Sequence, residues 1–132
     1  MSKLLDYLAD HVLLCDGAMG TQVQARALDV QRDYLGAENC TEVLTRSRPD
    51  LVRDIHRTYL AAGADAVETN TFGANLANLA EYDISGRIYE LAEAGARLAR
   101  EVADNWSTSD HPRFVFGSVG PGTKLPTLGH VT

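Results

Sequence analysis

Short apolar runs alternate with longer segments of helical periodicity along this chain, and that alternation limits its possible folds more than any other feature. The apolar runs are predicted strands and lie at residues 12–15, 66–69 and 114–116. The first of them is expected to be buried. One helix is predicted from Pro49 until Gly63 ends it, and a second follows Ser85, a candidate N-cap. The resulting order is strand, helix, strand, helix, strand.

This order implies parallel strands joined by right-handed crossovers, as in a doubly wound sheet or a (β/α)8 barrel. Periodicity does not choose between the two. Each predicted strand ends in a polar or glycine-rich turn, which is where both folds place their binding residues. We therefore predict an α/β fold with its chemistry at the carboxyl ends of the strands. A short amphipathic helix is also expected at residues 4–8, and a long irregular connection at residues 29–48.

Composition narrows the function classes. A chain of 132 residues with 45% hydrophobic and 23% charged residues suits one domain or part of a larger one. A formal net charge of −6 disfavours a nucleic-acid partner. Residues 1–16 contain neither a signal-peptide core nor a membrane-length apolar run, so no membrane partner and a cytoplasmic location are expected.

The cysteines and histidines have no metal-ligand spacing. Cys15 and Cys40 are expected to be reduced thiols, with Cys15 inert in the core. The histidines are expected to be solvated or structural rather than catalytic. They are His11, His56, His111 and His130.

Two motifs, DGAMGT at residues 16–21 and ETNTFGAN at residues 68–75, resemble those of the homocysteine S-methyltransferase family. The segments RPD at 48–50, IH at 55–56, AGAD at 62–65 and GP at 120–121 fit the same family in order and approximate spacing. Within the family the match is close to the N-terminal homocysteine-binding module of the cobalamin-dependent methionine synthases. The resemblance covers nearly the whole chain.

The resemblance implies a TIM (β/α)8 barrel. Because such barrels typically need about 250 residues, residues 1–132 would form a partial homocysteine-binding barrel domain of about three β/α units, truncated on the C-terminal side. The implied reaction transfers a methyl group to homocysteine and forms methionine. In this family zinc activates the homocysteine thiol, because the thiolate is the nucleophile.

The resemblance also implies which parts of that enzyme lie elsewhere. The family's zinc cysteines come from later segments and are expected beyond Thr132, so this chain is predicted to contain no metal ligand and no catalytic residue. Methylcobalamin is the implied methyl donor of the full-length protein, although the sequence does not distinguish it from folate, betaine or S-methylmethionine. The implied partners are homocysteine and the methyl-donor domains of the full-length protein.

Four residues are implied to bind substrate. The family's first turn contacts the amino-acid end of homocysteine, which assigns that contact to Asp16 and Gly17, with a carboxylate for the ammonium group and N–H groups for the carboxylate. Glu68 and Thr71 are implied pocket residues. Local chemistry leaves alternatives open: Asp16 and Gly17 also suit an ordinary strand-ending turn, and Glu68 a solvated strand end or an arginine pair. Asn70 and Thr71 also suit a helix cap.

Two other function classes remain. The chain could be a non-catalytic barrel piece that acts as an assembly or folding unit and self-associates through unpaired strand edges and uncovered apolar faces. In either case it is expected to be inactive alone. A nucleotide-binding α/β module is disfavoured, because the segment GSVGPGTK at 117–124 has threonine before lysine and is soon followed by Pro126.

Overall fold

The computed structural model describes residues 3–124 and 126–128, which form an α/β fold as predicted. The helices are α1 (Lys3–Asp10), α2 (Met19–Gln24), α3 (Leu44–Ser47), α4 (Pro49–Ala61), α5 (Leu76–Ala80) and α6 (Ile88–Trp106). The strands are β1 (Ala66–Glu68) and β2 (Phe114–Phe116), and single 3₁₀ turns lie at Thr41–Val43, Ser85–Arg87 and Pro126–Leu128. Within this described part, no helix combines the length and apolarity that crossing a membrane requires.

The sheet is parallel and follows chain order. Strands β1 and β2 pair with Ala66 opposite Phe114. On the other side of β1, Cys15 forms a parallel bridge with Ala66, and the Leu14 carbonyl accepts the backbone N–H groups of Asp65 and Ala66 at 2.8 and 3.1 Å. Three segments therefore lie side by side with their carboxyl ends at one edge.

The expectation of a buried first strand is wrong. Of residues 12–15, only Cys15 makes a ladder bridge, so the run is not an extended strand. Val12 is 85% exposed and Leu14 59% exposed. Cys15 is exposed as well, which corrects its predicted core position. The physical reason is that, among the described residues, this run has a ladder partner on one side only.

The two long predicted helices are confirmed and form the core against β1. Helix α4 begins at Pro49, whose missing N–H would have had no intrahelical partner. It ends before Gly63, which has a positive φ of 107° that favours glycine. The buried residues of α4 and α6 share helical spacing; they are Leu51, Val52, Ile55, His56 and Leu60 on α4, and Leu91, Gly95, Leu98, Ala99, Val102 and Ala103 on α6.

Local details differ from the expectations at three places. Ser85 opens a 3₁₀ turn and makes no side-chain capping bond, so it is not the N-cap of α6. The helix after β1 is capped by Asn75, whose side chain accepts the Asn78 N–H at 3.0 Å, rather than by Asn70 or Thr71. The connection predicted at residues 29–48 contains a 3₁₀ turn and helix α3, which are too short to leave a periodic signal.

Helix α1 is attached beneath the strand starts by the buried carboxylate of Asp65. That carboxylate accepts the Leu14 N–H at 2.8 Å, lies 2.6 Å from Nε2 of His111 and accepts the Tyr7 hydroxyl at 3.4 Å. Burial alone would raise the pKa of Asp65, but the Leu14 N–H and His111 outweigh it and leave the pKa lowered. His11 stacks on the Tyr7 ring with centroids 4.3 Å apart.

The histidine contacts agree with structural roles. His111 supports Asp65, His11 contacts Tyr7, and His56 is fully buried on α4, where burial lowers its pKa to about 4. His130 lies outside the described residues.

Candidate functional site

A cavity of about 580 Å³ opens at the carboxyl ends of the three paired segments. Its lining comes from four parts of the chain: residues 16–20, residues 41–42, residues 68–70 with Phe72, and Ser118. Asp16, Gly17 and Glu68 are among the lining residues, so the structure brings three of the four predicted site residues together. The fourth, Thr71, does not line this cavity.

Asp16 is fixed at the end of β1. Its backbone N–H donates to the Ala66 carbonyl at 2.9 Å, which continues the ladder past Cys15. Its two carboxylate oxygens both accept the backbone N–H of Glu68 at 3.1 Å. Burial raises the pKa of Asp16 to about 6; the Glu68 N–H opposes that rise and the Glu68 carboxylate adds to it. A cationic group bound here would favour the ionised carboxylate.

Gly17 is required by close packing rather than by a left-handed backbone. Its φ is not positive, whereas the ordinary-turn alternative would have favoured a positive φ. A Cβ at this position would lie 3.0 Å from the Tyr59 hydroxyl oxygen. That hydroxyl donates to the Ala18 carbonyl at 2.8 Å. Tyr59 therefore supports the first turn, and a side chain at Gly17 would require the Tyr59 ring to shift.

Glu68 ends β1 and is exposed on the cavity wall. Among the residues that the structure describes, no arginine or lysine forms an ion pair with it, so the arginine-pair alternative is not observed. Its carboxylate remains available to a bound molecule.

Thr71 lies behind the cavity wall. Its hydroxyl donates to the Ser118 carbonyl at 2.8 Å and lies 2.6 Å from the Thr69 hydroxyl. The Thr69 oxygen also accepts the Ser118 N–H at 3.0 Å. The methyl group of Thr71 occupies the space where a side chain at Gly95 of α6 would lie. In this position Thr71 connects the turns after β1 and β2.

The sequence predictions missed two side chains near the cavity. Glu42 is buried and accepts the Gly73 N–H at 2.7 Å. Asn70 donates to the Thr41 carbonyl at 2.8 Å and to the Thr45 hydroxyl at 3.1 Å. Asn70 belongs to the second motif, which is a signal that could have identified it. Glu42 lies in a segment without periodicity, and no local signal distinguishes it.

The charge of the lining is one-sided. Among the described residues it contains three carboxylates, from Asp16, Glu42 and Glu68, and no lysine, arginine or histidine. Carboxylates without cationic neighbours favour a bound cation such as an ammonium group, which can donate charge-assisted hydrogen bonds. The cavity is therefore suited to a cationic group.

The donor groups do not fit a zinc ion. Zinc sites are built from several cysteine, histidine or carboxylate ligands close together. Among the described residues, no group of three or more such side chains is placed to hold a metal. Burial, and then the Asp16 and Glu68 carboxylates, raise the pKa of Cys15, and burial with the Glu42 carboxylate raises that of Cys40 to about 11. Both thiols are thus kept protonated rather than activated.

Comparison with known proteins identifies the family of this chain. The sequence profile described as Homocysteine S-methyltransferase matches residues 13–132. Methionine synthase of Mycobacterium tuberculosis (strain ATCC 25618 / H37Rv) is 57% identical over 129 residues, and that of Mycobacterium leprae (strain TN) is 56% identical over 129 residues. Each match covers 98% of this chain but only 11% of the relative.

Two crystal structures of the homocysteine methyltransferase MmuM from Escherichia coli have similar folds. The metallated and oxidised forms superpose with a TM-score of 0.71, at 26% and 28% sequence identity. The superposition covers 91% of this chain and 42% and 41% of those chains. Because the family profile matches almost the whole chain and the fold agrees, this chain belongs to the homocysteine S-methyltransferase family.

Proposed function

We propose that this chain supplies the amino-acid end of the substrate pocket in a homocysteine S-methyltransferase of the methionine synthase type, which methylates the homocysteine thiolate to form methionine. The observation that carries the proposal is the shared cavity of Asp16, Gly17 and Glu68. These residues come from two separate motifs, and the Asp16 carboxylate joins them by accepting the Glu68 N–H.

The proposed contact is between the homocysteine ammonium group and the Asp16 carboxylate. Asp16 is partly desolvated and has a raised pKa of about 6, so it gains from a cation more than an exposed carboxylate would. Glu68 adds a second negative charge at the same wall. Binding and orienting the amino acid are the steps that this chain's residues would perform.

We also propose that residues 1–132 form the first three β/α units of a TIM (β/α)8 barrel. The parallel, chain-ordered pairing of residue 15, β1 and β2 supports this arrangement. The TM-score of 0.71 with the metallated form of MmuM, of which the superposition covers 42%, supports it further. In such a barrel the exposed apolar run at residues 12–15 would pair with a further strand.

Zinc and the methyl donor are assigned to other parts of the complete enzyme. When bound, zinc supplies a lowered thiol pKa. The described residues do not fit it, so the segment alone is proposed to be inactive. Methylcobalamin is the donor implied for the full-length protein, presented by other domains. We also propose a cytoplasmic location, as expected from the sequence.

Calorimetric titration with three ligands tests the substrate assignment. L-homocysteine and L-homoserine share the amino-acid end and differ only in sulfur or oxygen, so we expect this chain to bind both with similar affinity. 4-Mercaptobutyrate retains the thiol but lacks the ammonium group, and we expect no measurable binding. Equal affinity for 4-mercaptobutyrate and homocysteine, no binding of either amino acid, or tight binding only with added zinc would contradict the proposal.

The exposure of Val12 and Leu14 favours a second role, as an assembly unit. An uncovered apolar run beside an unpaired backbone edge is a site for strand addition. Self-association through this run is compatible with the pocket, because the cavity lies at the carboxyl ends of the strands.

A further inference from the structure

Glu42 is a buried carboxylate with an unusual set of partners. It lies on the 3₁₀ turn Thr41–Val43 and is 7% exposed. Its carboxylate accepts the Gly73 N–H at 2.7 Å and lies 3.6 Å from the Cys40 sulfur. In the described part of the chain it has no ion pair. Because a buried charge is costly unless it is hydrogen-bonded, the bond to Gly73 is important to its stability there.

Gly73 directly follows the aromatic wall of the cavity. Phe72 is 59% exposed and lines the cavity, and its carbonyl accepts the Gly120 N–H at 3.0 Å. Glu42 and the turn after β2 thus hold the two polar groups of the peptide that joins Phe72 to Gly73. A Cβ at Gly73 would lie 2.8 Å from Oε1 of Glu42, so a side chain there would displace the Glu42 carboxylate.

A second contact joins the same two segments. Asn70 donates to the Thr41 carbonyl and the Thr45 hydroxyl, while Glu42 accepts from Gly73. The turn after β1 is therefore held at its beginning by a neutral amide and at its end by a charged carboxylate. Gly73 is the residue next to Phe72, so the Glu42 contact bears more directly on the position of Phe72.

We propose that Glu42 is a positioning residue for the homocysteine pocket, which acts by fixing the Gly73 N–H and thereby holding Phe72 on the cavity wall. This inference rests on the proposed function. Glu42 acts through Phe72, and it prepares the wall before substrate arrives, which reduces the ordering cost of binding.

Amide hydrogen exchange and calorimetry on this chain test the proposal with Glu42→Ala and Glu42→Gln. Glutamine retains an oxygen that can accept the Gly73 N–H, whereas alanine removes the acceptor. For Glu42→Ala we expect the Gly73 amide to exchange at least about tenfold faster, and homocysteine affinity to fall about tenfold or more. Glu42→Gln should restore both to within about threefold. Glu38→Ala, at an exposed glutamate in the same connection, is the matched control and should change neither.

Phe72→Ala provides the second arm, because this side chain is 59% exposed and is not among the buried core residues. It should weaken homocysteine binding as Glu42→Ala does while leaving Gly73 protected. Unchanged Gly73 exchange in Glu42→Ala overturns the proposal, as does unchanged affinity in Phe72→Ala. If Glu42→Ala also speeds exchange of the core amide of Leu98, its effect is global and Glu42→Gln decides the question. A Glu42→Gln variant that keeps Leu98 protected but does not restore binding overturns the proposal. A wild-type chain that does not bind homocysteine while Gly73 still depends on Glu42 refutes the proposed function instead.

Discussion

Both carboxylate oxygens of Asp16 accept the backbone N–H of Glu68 at 3.1 Å, across 52 residues of sequence. This contact joins the turn after the first apolar run to the end of β1. It explains how two short motifs, each weak by itself, form one binding surface. The same carboxylate that closes the ladder also lines the cavity, so Asp16 is placed for two functions.

Replacing Asp16 with asparagine should separate those functions. Asparagine can still accept the Glu68 N–H but has no negative charge for an ammonium group. We expect homocysteine affinity to fall about ten- to hundredfold with the fold retained. Calorimetry and circular dichroism measure the two effects. Asp110→Asn, at an exposed carboxylate outside the cavity lining, is the control, and equal losses in both variants would contradict the assignment.

Homocysteine affinity should depend on the ionisation of Asp16. Its pKa is about 6 in the folded chain, against an ordinary value of 3.8. Below about pH 6 the folded carboxyl is increasingly protonated, so affinity should fall by up to about tenfold per pH unit. Dissociation constants measured from pH 5 to 7.5 show this slope. In Asp16→Asn the slope should vanish, and a slope that persists there belongs to another group.

The same raised pKa has the opposite effect on the stability of the unliganded chain. The protonated carboxyl is the favoured folded form, so the contribution of Asp16 is fully present below its unfolded pKa and is lost as pH rises through about 6. Asp16→Asn should therefore raise the free energy of unfolding at pH 8 and lose that advantage near pH 4. Urea denaturation at the two pH values measures the difference.

Asp65 should show the reverse pH dependence. Its lowered pKa means that the ionised form stabilises the fold, an effect present above the unfolded pKa and lost as pH falls below it. Asp65→Asn leaves the contacts to His111 and Leu14 weakened, so we expect a loss of about 1–3 kcal/mol at pH 7. The loss should shrink at pH 3. A constant difference at both pH values would argue against an ionic role.

Gly17→Ala should destabilise the first turn, because its Cβ would lie 3.0 Å from the Tyr59 hydroxyl oxygen. We expect a loss of about 1–3 kcal/mol in the free energy of unfolding, measured by urea denaturation. Gly20→Ala is the control, since nothing lies within 4 Å of a Cβ there and the residue is in helix α2. That change should be neutral or stabilising by up to about 1 kcal/mol. Similar losses in both variants would refute the packing explanation.

The chain should self-associate through residues 12–15. Size-exclusion chromatography with light scattering should detect concentration-dependent association, and Leu14→Lys should shift the chain towards monomer. Val119→Lys is the control, because Val119 is exposed to a similar degree as Val12 but lies outside the run. A wild-type monomer at high concentration would exclude this interface.

The sequence predicted the elements whose signals are local. Helices α4 and α6 carry a long apolar period, and Pro49 and Gly63 mark the ends of α4. The parallel direction of the strands followed from the alternation of short and long segments. The exposure of residues 12–15 could not be predicted in this way. Apolarity indicates a preference for burial, whereas actual burial depends on which neighbours are present.

Side-chain direction and long-range contacts also escaped prediction. The motif around Thr71 indicated a place in the site, but not that its hydroxyl faces Ser118. Glu42 and Gly73 are 31 residues apart, so their contact exists only once α3, α4 and β1 have brought the segments together. Asp16 and Glu68 could be identified as candidate site residues because each ends a recognisable apolar run.

The attachment of helix α1 determines the order in which this chain can fold during synthesis. Tyr7 reaches the Asp65 carboxylate, which also contacts His111, and the Tyr7 ring lies 5.4 Å from that of Phe114. Those partners leave the ribosome long after α1 does. Until residues 65–114 have emerged, α1 lacks the full set of these partners. Helix α1 is thus complete long before its docking site is.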